Sequence, residues 1–152
     1  MSIRLPETSA RRQPENLGVL LREPFRRLTE RIHQRLADEG HPDIRPAHGA
    51  VFQYLDDEGT RVSVLAERAQ MTKQSMAELV LHLEAHGYVE RVPDPADRRA
   101  KLVRLTRRGR AAIPIALAAI ADIEREWTRR LGGQRMSQLR ELLRDLNEHH
   151  GR

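Results

Sequence analysis

The sequence predicts a mainly α-helical protein with one small β-hairpin, and three observations support this class. An amphipathic helix pattern covers residues 72–86, and two short strand patterns separated by the polar sequence DPADRR follow it. A shorter helix pattern, over residues 63–69, precedes it across a turn of three to four residues. Long apolar helix stripes lie near both ends of the chain. This order is typical of a winged helix-turn-helix domain flanked by terminal helices.

The net positive charge of the chain is concentrated in the hairpin and in the helix start that follows it. Residues 88–110 contain eight Lys and Arg residues and three acidic residues, so their net charge of +5 equals that of the whole chain. The other residues therefore sum to zero. A positive patch beside a helix-turn-helix predicts a polyanionic partner, and double-stranded DNA is the leading candidate.

Composition excludes several other classes of protein. The chain has 152 residues, enough for one domain with a real core, and its 3% of aromatic residues make that core aliphatic. The absence of cysteine excludes disulfides, Cys-based zinc sites and thiol redox sensing. Without a GxSxG, HExxH or glycine-rich phosphate loop, we expect neither an enzyme nor a cofactor. No stretch resembles a signal peptide or a membrane span, which predicts a cytoplasmic protein.

The patterns divide the chain into four parts. Residues 1–15 are polar and aperiodic and contain prolines, which predicts a disordered arm. Residues 16–45 contain the first long helix and a linker, residues 46–106 the winged helix-turn-helix, and residues 107–152 the C-terminal helices.

Local signals predict where the first helices begin and end. A long helix is expected over Asn16–Glu39, and Pro24 should kink it or mark a short lead-in helix. A second helix is expected over Ala47–Asp57, with Gly59 as its C-terminal cap.

The two helices of the helix-turn-helix each have a predicted N-cap. Ser63 should cap the short helix, and Thr72 should cap the longer recognition helix, which Gly87 ends. In the recognition helix, periodicity directs an apolar set toward the core, namely Met76, Leu79, Val80 and Leu83. A polar set is expected to face outward, namely Lys73, Gln74, Ser75, Glu78 and His82.

The hairpin should pair Val89–Pro93 with Lys101–Leu105, and Arg61-Val62 is a candidate third, very short strand. Thr106 should cap a helix over Arg107–Leu131, and a last helix should follow Gly132-Gly133. The apolar stripes of the first and last helices have no obvious partner within a small winged-helix domain. We therefore expect them to form the interface of a homodimer, which would hold two recognition helices on one face of a palindromic operator.

The hairpin motifs carry a family resemblance. GYVER at residues 87–91 is followed by DPADRR at 94–99, LVRLT at 102–106 and Gly109. With this spacing, the chain resembles the MarR family of multiple-antibiotic-resistance-type transcriptional regulators over residues 16–148. One departure is Glu78, where many members carry an arginine, so the operator sequence of another member does not transfer to this chain.

Each candidate DNA contact has a physical role. The helix starts at Ser63 and Thr72 present backbone N–H groups to phosphates, and the first turn of the recognition helix reaches base edges. Glu78 could accept a hydrogen bond from a cytosine amino group, or it could be a solvated charge paired with a nearby base. The candidates are Ser63, Thr72, Lys73, Gln74, Ser75, Glu78, His82, Arg91, Asp97, Arg98, Arg99 and Lys101.

The wing tip should enter a minor groove through Arg98 and Arg99, since a narrow A·T tract attracts arginine. Asp97 should brace this tip by bonding backbone N–H groups or an arginine, as in an Asx turn. In the family pattern Asp97 and Arg99 belong to the wing motif, so the resemblance implies this role for them. The alternative is a surface tip with a simple charge pair.

The resemblance also implies a small organic effector, often phenolic or anionic, bound between the dimer helices and the winged domain. The candidate lining residues are Arg22, His33, His41, His48, Phe52 and Trp127. Each of them could instead be an ordinary core-edge or surface residue.

Two alternatives of the same fold remain open at this point. His33, His41, His48 and the His149-His150 pair could assemble a zinc site, although none of them has the helical spacing of a metal pair. The chain could also be a constitutive DNA-binding protein without a ligand. Repression is the expected mode, because a dimer bound across a promoter blocks polymerase without further chemistry.

Overall fold

The computed structural model describes residues 15–148, which form six α-helices, one 3₁₀ turn and a two-stranded antiparallel sheet. The mainly α-helical class with a small β-wing is confirmed. The 3₁₀ turn is Pro46–His48; the other elements are α1 (Leu17–Asp38), α2 (Gly49–Tyr54), α3 (Val62–Arg68), α4 (Lys73–Ala85), β1 (Val89–Asp94), β2 (Asp97–Leu105), α5 (Arg107–Leu131) and α6 (Gly133–Glu148). The predicted disordered arm, up to residue 14, and His149-His150 lie outside the described residues.

The first two helices differ in part from the sequence prediction. Helix α1 continues through Pro24, and Asn16 caps it by accepting a hydrogen bond from the Val19 amide at 3.1 Å. Helix α2 is shorter than expected and ends at Tyr54. Gly59 is not its cap; instead its amide closes a turn onto the Asp56 carbonyl at 3.0 Å, with a φ of +111°.

The start of the helix-turn-helix is also corrected. Helix α3 begins at Val62, so Ser63 is its second residue and not its N-cap. The expected third strand at Arg61-Val62 is a single bridge one residue earlier, where Thr60 exchanges two backbone hydrogen bonds with Val103 at 2.8 and 2.9 Å. The Thr60 hydroxyl is held by the Asp56 amide at 2.9 Å, which anchors this residue before the chain turns into α3.

The other predicted caps are confirmed. The Thr72 hydroxyl oxygen accepts from the Ser75 amide at 3.1 Å, and that of Thr106 accepts from the Gly109 amide at 3.1 Å. These caps mark the starts of α4 and α5, and α5 has the predicted limits. Gly132, with a φ of +87°, separates α5 from α6.

The core lies between the helix-turn-helix and the sheet and is aliphatic apart from one tyrosine, as the composition predicts. Met76, Val80 and Leu83 are fully buried, as their periodicity predicts, and Leu79 is half-buried. The largest fully buried side chains are Val51, Leu65, Met76, Val80, Leu83, Tyr88, Val89 and Val103.

Tyr88, at the junction of α4 and β1, joins several elements. Its hydroxyl lies 3.2 Å from Nδ1 of His41 and accepts a hydrogen bond from the Arg108 guanidinium at 3.0 Å. That guanidinium also lies 4.6 Å from the Tyr88 ring centroid, a cation–π distance. Gly109, in the first turn of α5, packs directly on the Tyr88 carbonyl, leaving no room for a Cβ atom.

The long terminal helices pack on one another outside this core. Arg31 and Arg35 of α1 pair with Glu126 and Asp122 of α5 at 3.2 and 3.6 Å. In α6 only Met136 is buried among the side chains that the structure describes. No helix within residues 15–148 is both long and apolar enough to cross a membrane.

The close packing of Gly109 on Tyr88 generates a stability prediction. Gly109→Ala should lower the free energy of unfolding by more than about 2 kcal/mol, because the new methyl group would overlap a backbone oxygen that cannot move aside. Helix propensity alone predicts the opposite effect, a stabilisation of up to about 1 kcal/mol, because alanine favours a helix more than glycine does.

Gly133→Ala is the matched control for this measurement. Gly133 also starts a helix, but a Cβ atom there would meet nothing within 4 Å. Urea denaturation of both variants checks the prediction, and equal stabilities would contradict the close contact.

Candidate nucleic-acid interface

The N-terminal half of α4 presents a polar surface to solvent. Lys73, Gln74, Ser75 and Glu78 are exposed, and Gln74 and Glu78 lie on the side of the helix away from the buried Met76. Thr72 is exposed too, but its hydroxyl donates to the Ser75 hydroxyl at 2.8 Å in addition to its capping bond. The first turn of the recognition helix therefore has the donors and acceptors that base edges and phosphates require.

Ser63 also lies in the first turn of its helix and is exposed. Since it is not the N-cap, its hydroxyl does not cap α3. The α3 start remains a candidate phosphate contact through the amides of its first turn.

His82 does not face outward as expected. It is half-buried, and its Nε2 lies 2.9 Å from the Asp43 carbonyl oxygen in the linker after α1. Its ring stacks on His48 at 4.6 Å and contacts His86 at 4.3 Å between centroids. His82 thus joins the linker to the recognition helix, on the flank of α4 beside its exposed face. We call His48, His82 and His86 the histidine stack.

The wing is a hairpin with an irregular tip. Pairing between the strands is regular from the pair of Val89 with Leu105 to the pair of Pro93 with Lys101. The next pair is Asp94 with Asp97. This shift leaves Arg98, Arg99 and Ala100 on β2 without partners on β1. Such a bulge redirects side chains away from the regular strand geometry, and both arginines are exposed.

Two aspartates brace the wing tip. Asp97 accepts a hydrogen bond from the Arg99 amide at 3.0 Å, which is the Asx-turn geometry expected from the sequence. Asp94 accepts from the Ala96 amide at 2.9 Å and pairs with Arg61 at 2.6 Å. The Ala96 hydrogen bond, followed by that of Arg61, lowers the pKa of Asp94.

The Arg61–Asp94 pair is the feature that sequence reasoning missed. It spans 33 residues and ties the N-terminus of α3 to the end of β1. The sequence did contain a local signal at Asp94. An aspartate at the start of a turn that contains proline can accept a hydrogen bond from the amide two residues later, as in an Asx turn. No local signal identified Arg61 as its partner.

The basic residues of α4 and the hairpin fall into two groups. Arg91 pairs with Glu84 of α4 at 3.3 Å, and Arg104 pairs with Glu90 at 2.7 Å, so these two arginines hold the hairpin together. A second group is exposed and makes no ion pair with any residue in 15–148, namely Lys73, Arg98, Arg99 and Lys101. These four cations of α4 and the hairpin are therefore available to a polyanion.

An open cavity of about 870 Å³ lies along α1 and is also lined by Pro46. Arg22 and His33 of the predicted effector set line it. The other four candidates, namely His41, His48, Phe52 and Trp127, are not among its lining residues. The complete lining is Arg22, Phe25, Arg26, Thr29, Glu30, Arg31, His33, Gln34, Ala37 and Pro46.

Two of the candidates outside this cavity are buried histidines. His41 is buried beside Tyr88, and His48 is buried with its Nδ1 accepting from the Arg45 amide at 2.8 Å. Burial, followed by the positive charge of Arg108, lowers the pKa of His41. Burial, with the neighbouring His82 next in importance, lowers the pKa of His48 to about 4. Phe52 is partly buried against the core.

The histidines proposed for zinc do not converge. His33 lies on α1 with its Nδ1 2.7 Å from the Thr29 carbonyl oxygen, while His41 and His48 have the separate partners given above. Over residues 15–148, no three His, Asp or Glu side chains are arranged to hold a metal ion.

Comparisons with known proteins agree with this architecture. The sequence profile of the MarR family matches residues 43–100. The transcriptional regulator HosA of Escherichia coli O111:H- is 29% identical over 131 residues, covering 84% of this chain and 97% of HosA. The transcriptional regulator Tm0710 of Thermotoga maritima is 30% identical, with a TM-score of 0.59, covering 86% of this chain and 91% of that one. The transcriptional repressor CouR, bound to a 23-mer DNA duplex, is 24% identical with a TM-score of 0.68, covering 87% and 92%.

The burial of His48 predicts a loss of stability in mild acid. The unfolded residue takes up a proton near pH 6.5, whereas the folded one stays neutral down to about pH 4. The contribution of His48 to the free energy of unfolding is therefore constant above pH 6.5. As the pH drops from 6.5 towards 4, it falls by about 1.4 kcal/mol per pH unit.

His48→Asn removes this titration and keeps an acceptor for the Arg45 amide. Between pH 6 and pH 4.5 its unfolding free energy should fall less steeply than that of the unsubstituted protein, by about 1 kcal/mol per pH unit. Urea denaturation at several pH values measures both slopes. Parallel slopes would show that His48 is not held neutral.

Proposed function

The chain belongs to the MarR family of winged helix-turn-helix transcriptional regulators, and we propose that it is a repressor that binds an inverted-repeat operator as a homodimer. It is a DNA-binding regulator and not an enzyme, since the family is one of regulators. The observation that carries the proposal is the set of four exposed cations, which lie on the recognition helix and the wing and have no ion-pair partner within residues 15–148.

The recognition helix supplies the base readout in this proposal. Gln74 can bond adenine through two hydrogen bonds, and Glu78 can accept from a cytosine amino group. Both are exposed near the N-terminus of α4, the part of such a helix that meets base edges. Lys73 and the Ser75 hydroxyl would contact flanking phosphates.

The wing supplies contacts outside the major groove. The bulge at Arg98 and Arg99 allows both guanidinium groups to extend from the hairpin, and Asp97 holds the tip backbone without pairing with either of them. Arginine is favoured where a minor groove is narrow. The CouR–duplex complex supports DNA as the partner of this fold.

Dimerisation would be carried by residues 16–45 and 107–152, which flank the winged domain of residues 46–106. The C-terminal part of the α1 stripe packs inward, with Leu36 buried, whereas its N-terminal part is exposed. The last helix shows the same exposure. These uncovered apolar residues are Leu17, Leu20, Leu21, Phe25, Leu139, Leu142, Leu143 and Leu146. A second copy of the chain would cover them, in agreement with the symmetric arrangement that a palindromic operator requires.

The effector would occupy the α1 cavity. Arg26 is held there by Glu23 and Glu30, and Arg31 pairs with Glu126 at 3.2 Å. Arg22 makes no ion pair with a residue in the described part of the chain, so its guanidinium is available to a ligand. With Phe25 and the arginine stems alongside, the cavity suits an anion with an apolar or aromatic body.

The cavity is physically connected to the recognition helix. His33 and Pro46 line it, His48 follows Pro46 by two residues, and His48 stacks on His82 of α4. A ligand that shifted α1 against Pro46 would therefore move the histidine stack and bias the position of α4. DNA and ligand would then weaken each other's binding by the same factor. Repression would follow in the cytoplasm from a dimer bound across a promoter.

The DNA proposal predicts different losses for a wing residue and a recognition-helix residue. Affinity should fall with salt at a slope near −7 to −9 in log units, if about eight to ten phosphates are neutralised per dimer. Arg99→Ala should make the slope less steep by about two, one contact per protomer, and weaken binding to most sequences. Gln74→Ala should cost about 1–3 kcal/mol on the preferred duplex alone.

Fluorescence anisotropy on a duplex selected from a random library, and on a scrambled duplex, measures these effects. Arg130→Ala is the control, because Arg130 is exposed near the far end of α5, about 35 Å along the helix from the wing. An affinity that is independent of salt would refute DNA binding. Equal losses for Arg99→Ala and Gln74→Ala on both duplexes would refute the division of roles.

The effector proposal predicts that Arg22 is needed for ligand response and not for DNA binding. Arg22→Gln should weaken the binding of a responsive phenolic acid about tenfold or more, because a charge-assisted hydrogen bond is lost. DNA affinity without ligand should stay within about twofold of the unsubstituted protein. Calorimetric titration of a phenolic-acid panel, with and without the selected duplex, measures both quantities.

Arg27→Gln is the matched control, since Arg27 is an exposed arginine on the same helix outside the cavity lining. A panel in which every ligand binds free and DNA-bound protein equally well would rule out this route of regulation. Loss of response in both variants alike would remove Arg22 from the ligand site.

A further inference from the structure

The exposed face of the recognition helix continues beyond its polar first half. At about 100° per residue, Gln74, Glu78, Leu81 and Ala85 fall within about 60° of one another around the helix axis. All four are exposed, and the buried Leu83 lies on the opposite side. The surface that begins with an amide and a carboxylate therefore ends with two apolar side chains.

Leu81 is unusual among the exposed apolar residues. Its side chain is 54% exposed, although it belongs to the domain that carries the core. Within residues 15–148, the other large apolar residues with comparable exposure lie on α1, α5 and α6. Those on α1 and α6 are accounted for by the proposed dimer, whereas Leu81 lies on the recognition helix. Its exposure therefore has a different explanation.

The position of Leu81 matches one group on DNA. Seven residues of helix separate it from Gln74, a rise of about 10 Å, which corresponds to about three base-pair steps at about 3.4 Å each. The edge of a base pair in the major groove presents hydrogen-bonding groups and a single apolar group, the C5-methyl of thymine. An exposed leucine on the base-reading face can gain affinity from that methyl group and from no other group at the base edges.

We propose that Leu81 is a specificity-determining residue that reads a thymine methyl group about three base pairs from the base contacted by Gln74. This inference rests on the proposed function, because it requires α4 to lie in a major groove. A phosphate contact is the less favourable use of this position, since a leucine side chain has no donor for an anion. Ala85, one turn further along, would border the same groove.

The chemistry extends to a second base. 5-Methylcytosine presents a methyl group at the same place in the major groove as thymine, whereas uracil and cytosine lack it. The proposal therefore predicts that, at this one position of each half-site, thymine binds better than uracil. Where cytosine replaces thymine, methylation should restore part of the affinity.

The test uses the full-length dimer and a duplex selected from a random library. Each thymine of the duplex is replaced singly by deoxyuridine, symmetrically in both half-sites, and the dissociation constant is measured by anisotropy. One buried methyl contact corresponds to about fourfold in affinity for each half-site. We expect this loss at one position about three base pairs from the one at which Gln74→Ala relaxes specificity.

Leu81→Asn, which is of similar size and polar, should bind the thymine and deoxyuridine duplexes equally well. Glu78→Gln, on the same face, is the control and should keep the full thymine preference. Leu81→Ala provides a second variant should Leu81→Asn unfold, which thermal denaturation reveals. It should retain at most a small part of the preference.

The outcomes separate this inference from the proposed function. If the protein selects no sequence from the library, the proposed function fails. If it selects a sequence but no deoxyuridine substitution weakens binding, the inference is overturned and the function stands. A thymine preference that persists undiminished in both Leu81 variants also overturns it, since another side chain then reads the methyl group.

Discussion

The contact of Gly109 with the Tyr88 carbonyl is the constraint on which the rest of the structure depends. It brings together the end of α4, the first residues of β1 and the first turn of α5. Tyr88 adds a buried ring whose hydroxyl contacts His41 and Arg108, so the chain after α1 is tied to the same point. The recognition helix, the wing and α5 all extend from this junction.

Acidic residues in the basic module have a structural role that complements the exposed cations. Asp94, Glu84 and Glu90 each pair with an arginine: the first two pairs tie the hairpin to α3 and α4, and the third joins its two strands. Asp97 bonds a backbone amide and, within residues 15–148, no guanidinium. As a result the wing is held in position by neutralised pairs, while Arg98 and Arg99 of the bulged tip stay exposed. A count of charges along the sequence cannot separate these two groups.

The histidines take part in packing rather than in metal binding across the described residues. His48 is neutral because burial disfavours its charged form, and it stacks on His82 between the linker and α4. Stacked rings can transmit a displacement through direct contact. The 3₁₀ turn that carries His48 begins at Pro46, which also lines the α1 cavity. The cavity, this turn and the recognition helix are therefore joined by direct contacts.

The sequence by itself determined the elements whose signals are local. Thr72 and Thr106 cap their helices through hydrogen bonds to amides three residues away, so a short window contains both partners. The apolar period of α4, the limits of α5 and the turn at DPADRR are local in the same sense. The class of fold and the family followed from these features and their order.

Only the tertiary structure decided the features that join distant residues. Ser63 lost its predicted cap role because Thr60 pairs with Val103, 43 positions further on, and α3 begins immediately afterwards. His82 turned inward because the Asp43 carbonyl, 39 residues away, offers it a hydrogen bond. The Arg61–Asp94 pair likewise joins residues that are 33 positions apart in the sequence. Periodicity predicts which side of a helix is apolar. The partner of a polar side chain depends instead on which distant residues the tertiary fold brings next to it.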